Sequence, residues 1–197
     1  MDNRHLFELI NAAPGPQAWQ WVLALGLAQW LIYVLPIGLA WAWVKGDAMA
    51  RRELLEMMLA TLIALGVGQV VVHLWPQPRP FALHLGTQLL QHVDDPGLPS
   101  DHVTVFWSLA CAALATRRFA VWGFPLLAAG LAVGWSRVFL GVHFPYDILA
   151  ALPVALLGAL LARALRAATM PAVAGILAAY ERLAQGVRSR LAAARKT

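Results

Sequence analysis

The chain has 197 residues, 60% of them hydrophobic and only 13% Asp, Glu, Lys or Arg, roughly half the charged share of an ordinary soluble domain. A mean hydropathy of +0.65 excludes a water-soluble globule, whose surface needs far more polar cover, and points to one all-α membrane domain. The net charge of +5 does not signal a nucleic-acid partner, because the basic residues form no stripe interleaved with aromatics and gather instead at the ends of apolar runs.

The first dozen residues are mixed polar, and no cleavable signal peptide is read there, since the apolar run that follows is too long for a signal sequence. That run, Trp19 to Val44, counts 26 uncharged residues and is the first expected span. A charged loop is expected at 45–53, then a second span over the 18 residues Met57 to Leu74. Val103 to Thr116 is a shorter third run, Arg117 and Arg118 form a turn, and Phe119 to Ser136 is a fourth. Ile148 to Ala162 is the fifth. Trp19, Trp41, Trp43, Trp75 and Trp135 sit near run ends, where they read as interfacial belt residues. Cys111 lies in an apolar stretch as a small hydrophobe, and one cysteine allows no internal disulfide.

The expectation is a multi-pass helix bundle of about five spans. Five spans place 12 of the 15 Lys and Arg residues on one side, leaving Arg4, Arg79 and Arg137 on the other. By the positive-inside rule the basic side, with the C-terminus, is cytoplasmic, and the N-terminus and the loops at 76–101 and 137–147 face outward. Residues 167–180 would make a sixth span only by carrying Arg182, Arg188, Arg190, Arg195 and Lys196 outward against that bias. The division expected is therefore a membrane domain at 1–166, with a short N-terminal segment, and a basic amphipathic or interfacial helix at 167–197.

Three polar islands interrupt the apolar chain on the outer side: Pro78-Arg79-Pro80, Pro99-Ser100-Asp101-His102, and Ser136-Arg137 running on to His143 and Asp147. Ionisable groups at membrane depth call for a function. Pro145 suits a helix's first turn, which puts His143 just before a helix and Asp147 one turn inside it. A carboxylate on Nδ1 then sets the tautomer and frees Nε2 as a nucleophile. Ser100 is a good N-cap for the third span, whose first-turn amides would form an anion site. His102 in that turn is placed to act as general acid on a bound phosphoester. Arg79 and Arg137 offer planar forks for phosphate oxygens, although a single arginine at a membrane edge is as often a snorkelling anchor.

As an ordered set these islands resemble the three motifs of the type 2 phosphatidic acid phosphatase superfamily: Lys-x6-Arg-Pro, Pro-Ser-Gly-His and Ser-Arg-x5-His-x3-Asp. The third is complete in Ser136, Arg137, His143 and Asp147; the second carries Asp101 for glycine; the first keeps Arg79 and Pro80 with Val72 where lysine would stand. The resemblance covers roughly residues 60–165. It implies a substrate-binding phosphate pocket of Arg79, Ser100 and Arg137, with His143 attacking phosphorus and Asp147 orienting it. His102 protonates the leaving lipid phosphate, and water then hydrolyses a phosphohistidine. Neither metal nor cofactor is required. For the missing lysine, Gln69, His73 or a feature of the substrate could substitute.

The form of the second motif and the run His92 to Leu98 before it are similar to the bacitracin-resistance type of undecaprenyl-diphosphate phosphatases. This implies a bacterial inner-membrane enzyme that returns the cell-wall carrier lipid to its monophosphate. The alternative substrate is phosphatidate or phosphatidylglycerol phosphate. A channel or transporter would not explain three motifs converging at one depth, and a non-cleaving lipid binder would not need both histidines and Asp147. His84 and His92 read as solvent-facing loop residues, with contact to substrate as the minor alternative, and Asp94 and Asp95 as loop charge.

Overall fold

A computed structural model describes residues 2–194, and every regular element among them is helical. Helix α1 spans Asn3–Ile10, with Asp2 accepting the His5 amide at 2.8 Å as its cap. The first span is a composite: α2 (Ala18–Leu25), a π-helical stretch (Gly26–Trp30), a 3-10 turn (Leu31–Tyr33) and α3 (Val34–Lys45). Pro36 explains the irregularity, because it cannot donate to the carbonyl four residues back and its ring crowds that turn.

The expected loop at 45–53 shrinks to Gly46 and Asp47, a correction to the sequence reading. Helix α4 runs from Ala48 to Leu74, so its first turns carry Arg51, Arg52, Glu53 and Glu56. Asp47 starts it by accepting the Ala50 amide at 2.9 Å. Charge marks where the chain leaves lipid, not where the helix ends. Helices α5 (Asp101–Leu114), α6 (Gly123–Phe139), α7 (Pro145–Ala164) and α8 (Arg166–Ala194) follow. Arg195 and Lys196 of the basic tail lie outside the described residues.

The four stretches Ala18–Lys45, Ala48–Leu74, Ala120–Phe139 and Pro145–Ala164 are long and apolar enough to cross a membrane, and α8 is not among them. Helix α5, at 14 residues, rises only about 21 Å against a hydrocarbon core of about 30 Å. It is short because protein surrounds it: α4, α6 and α7 all pack on it and bury most of its side chains. Helices α4 and α7 also meet closely, through small residues. A Cβ built on Gly158 would stand 2.6 Å from Ala64 Cβ and 2.7 Å from the Ala60 carbonyl oxygen, the kind of contact that holds helices together where lipid offers no hydrophobic drive. The result is a multi-pass helical membrane bundle.

At one end, Asn11 ties three segments. Its side chain donates to the carbonyls of Thr87 at 3.0 Å and Phe139 at 3.1 Å and accepts the Thr87 amide at 2.7 Å. Leu89 adds a backbone bond to Leu140 at 3.0 Å, and Phe7 packs edge-on against Phe144. Helix α1 and the loop between α4 and α5 therefore cover the end of the bundle where all three polar islands lie.

Candidate active site

Helix α7 begins at Pro145, as its fixed backbone angle favours. The Asp147 carboxylate reaches back one turn, so that one oxygen, Oδ2, accepts both the Phe144 amide at 2.8 Å and the His143 Nδ1 hydrogen at 3.1 Å. Histidine and aspartate are each 2% exposed. With Nδ1 donating, Nε2 carries the lone pair, and Arg79 Nη1 stands 2.9 Å from it. The guanidinium is fixed from behind: Nη1 also donates to the Val142 carbonyl at 2.9 Å, and Nε to the backbone carbonyl and carboxylate of Asp95, both at 2.9 Å. The positive charge nearest Nε2 is thus a guanidinium held in place by the protein.

The Ser100 amide donates to the Asp147 carbonyl at 3.0 Å, joining the start of α5 to the first turn of α7. Ser100 occupies the N-cap position, yet its hydroxyl makes no capping bond, which departs from the expected role. Ser100 Oγ, Thr104 Oγ1 and Arg137 Nε are buried without a hydrogen-bond partner. Thr104 was not singled out from the sequence, although Ser100 and Thr104 lie four apart on one helix face. Buried polar groups left unpaired are costly, so these three atoms call for a partner. Arg137, in the last turn of α6, donates through Nη1 to the Ala28 carbonyl at 3.2 Å, within the π-helical stretch, a local form that recurs at functional sites. His102, in the first turn of α5, is partly buried.

Burial is the first reason that His143 is held well below the usual histidine range, followed by the positive charges of Arg137, Arg79, His92 and His102. The imidazole is therefore neutral, as a nucleophile requires. The same influences show that these five cationic or titratable groups share one electrostatic neighbourhood.

His92 is corrected from solvent-facing to part of that neighbourhood: its side chain is 23% exposed, and its ring centroid lies 6.5 Å from that of His143. Its loop folds back because Asp95 engages Arg79 and because Gly97 donates to the Gln77 carbonyl at 2.8 Å. A Cβ on Gly97 would stand 2.9 Å from Asp147 Oδ2, so only glycine passes there. Gln69, His73 and His84 are exposed. Val72 is one turn beyond Gly68, whose own built Cβ would touch Pro99 at 3.4 Å, so Val72 continues the face of α4 that meets the second island. Among the described residues, no group of three or more His, Cys, Asp and Glu is arranged to hold a metal ion.

Side chains of this kind, set at the end of a membrane bundle, suit the transfer of a phosphoryl group, and the class of protein is the integral-membrane lipid phosphatase. The chain belongs to the PAP2 superfamily, whose family model matches residues 53–169, from the first turns of α4 to the start of α8. It is 37% identical over 162 residues to the putative undecaprenyl-diphosphatase YbjG of Escherichia coli (strain K12), covering 82% of this chain and 81% of that one. It is 32% identical over 115 residues to undecaprenyl-diphosphatase BcrC of Bacillus subtilis (strain 168), 58% of each. Among solved structures it is similar to Aquifex aeolicus LpxE, with a TM-score of 0.66 at 20% identity over 80% of this chain and 92% of that one, a likeness of fold.

Proposed function

We propose that the protein removes the terminal phosphate of undecaprenyl diphosphate, leaving the monophosphate, from a site on the outer face of a bacterial inner membrane. The observation that carries this reading is the buried His143–Asp147 pair with Arg79 Nη1 set against the free ring nitrogen. The named relatives support the substrate, and the distribution of Lys and Arg supports the orientation, with the C-terminus cytoplasmic.

In this scheme the terminal phosphate enters between Arg79, Arg137, Ser100 and the open amides of α5, and takes over the Arg79 contact to Nε2. Nε2 then bonds to phosphorus while the bond from phosphorus to the bridging oxygen breaks. The electron pair leaves on the lipid monophosphate, which takes a proton from His102. Asp147 stabilises the positive charge that develops on the ring. Water, giving its proton to His102, attacks the phosphohistidine, and inorganic phosphate leaves while Nε2 recovers its lone pair. Phosphate release by purified protein from polyprenyl diphosphate, alongside phosphatidate and phosphatidylglycerol phosphate, tests the reading. Faster release from the diphosphate is expected; hydrolysis of the other two without it would overturn the substrate assignment.

A further inference from the structure

The other end of the bundle holds a second feature that phosphoryl transfer does not use. A cavity of about 700 Å³ opens between α4, α5, α7 and the first turns of α8. Its floor is made by small residues, Ala60, Ala112 and Ala159, and its flank by Leu156 and Leu160, which are 49% and 54% exposed and face the lipid side of the bundle. The mouth carries Arg52, Arg117, Arg163 and Arg166 against two carboxylates, Glu53 and Glu56.

Both carboxylates are engaged within the protein. Glu53 accepts the backbone amides of Arg117 at 3.2 Å and Arg118 at 3.0 Å. Glu56 Oε1 holds Arg52 and Arg166, each at 3.1 Å. The guanidinium groups of Arg117 and Arg163 have no side-chain partner among the described residues. Four positive groups and two negative ones leave the mouth with a surplus of two, over a pocket whose walls are apolar and open sideways. From Arg52 to Ala60 along α4 the cavity reaches about 12 Å inward, past the headgroup zone and into the acyl region. Such a shape does not suit a free inorganic anion, which would leave the apolar part of the volume to water. It suits a molecule with an anionic head and hydrocarbon chains, as basic pockets between membrane helices do.

We propose that this cavity is a binding site for an anionic diacyl phospholipid of the leaflet opposite the His143 site, its phosphodiester held by Arg117 and Arg163 and its upper chain segments lying along Leu156 and Leu160. The lipid would fill the gap between the start of α8 and the bundle and so seat that helix at the membrane surface. Occupancy here is independent of the substrate assigned to the other end.

The test is native mass spectrometry of the full chain released from nanodiscs of equal phosphatidylglycerol and phosphatidylcholine. Retention of phosphatidylglycerol over phosphatidylcholine is expected, falling about tenfold in an Arg117→Gln, Arg163→Gln double variant and persisting in the corresponding double lysine variant. Ala159→Trp, which fills the floor without changing charge, should also displace the lipid while phosphate release at the far end continues. Equal retention of both lipids, or unchanged selectivity in the double glutamine variant, would overturn the site. Displacement of the bound lipid by millimolar inorganic phosphate alone would reduce it to an adventitious anion site and overturn the proposal equally.

Discussion

The two histidines of the scheme have successive tasks, and substitution separates them. His143→Ala should abolish turnover and any trapped phosphoenzyme, because the scheme assigns the attack on phosphorus to its Nε2, 2.9 Å from Arg79 Nη1. His102→Ala should slow lipid diphosphate far more than an aryl phosphate with an acidic phenol, whose leaving group needs no proton. Acid quench and peptide mapping decide the matter, and phosphate found on His102 would reverse the roles. His92 offers a way to supply the charge that Val72 lacks. Burial first, with Arg79 and Arg137 adding to it against the Val93 carbonyl and Asp95, holds this histidine below its usual range, so it is neutral in the free enzyme. A bound phosphate favours its charged form, so its contribution is present at low pH and lost as pH rises through the value in the complex. His92→Gln should therefore raise KM up to about tenfold at the acid end of the activity range and progressively less as pH rises. Val72→Lys added to that variant should recover affinity across that range. A pH-independent effect of His92→Gln, or no recovery, would mean that the two positions do not share this role.

At the scale of elements, one carboxylate joins helices distant in sequence. Glu53, buried in the second turn of α4, receives the two amides of the α5–α6 turn that those helices leave open. Glu53→Ala leaves both donors unsatisfied and should destabilise the bundle by about 2–3 kcal/mol, read as a lowered thermal inactivation midpoint. Glu56→Gln, in more exposed pairs with Arg52 and Arg166, should move it much less. Equal effects would show that the α5–α6 turn does not depend on Glu53. The same logic explains the charged segment before the second span: its residues are helix, anchored by Asp47 and Glu53, rather than linker.

For the molecule as a whole, phosphoryl transfer is assigned to fixed donors: two buried arginines and helix amides. Activity should accordingly persist in excess chelator, and a reproducible loss restored by a divalent cation would overturn that assignment. The covering of the site end by α1 and the α4–α5 loop places α1 beside His143 and Asp147 and the start of α8 at the far end. Single cysteines introduced at exposed Val93 and Leu183, in a Cys111→Ala background, should label from opposite sides of intact cells, Val93→Cys from outside. Labelling of both from one side would contradict the five-span topology.

What the sequence by itself determined is what depends on neighbours along the chain. Length and apolarity limit the spans, Pro145 sets the start of α7, and a spacing of four brings Asp147 to His143 on one helix face. Those are properties of helical period and backbone angle. The tertiary structure alone decided which distant groups meet there. Arg79 is 64 residues from His143 and arrives through a loop whose path depends on Asn11, Asp95 and Gly97. His92 and the Ala28 carbonyl join the site for the same reason, and the arginine-rimmed cavity at the opposite end is assembled in the same way. No local periodicity encodes these meetings, because they come from the packing of α4, α6 and α7 around α5 and from the burial of donors that have no partner along their own segment.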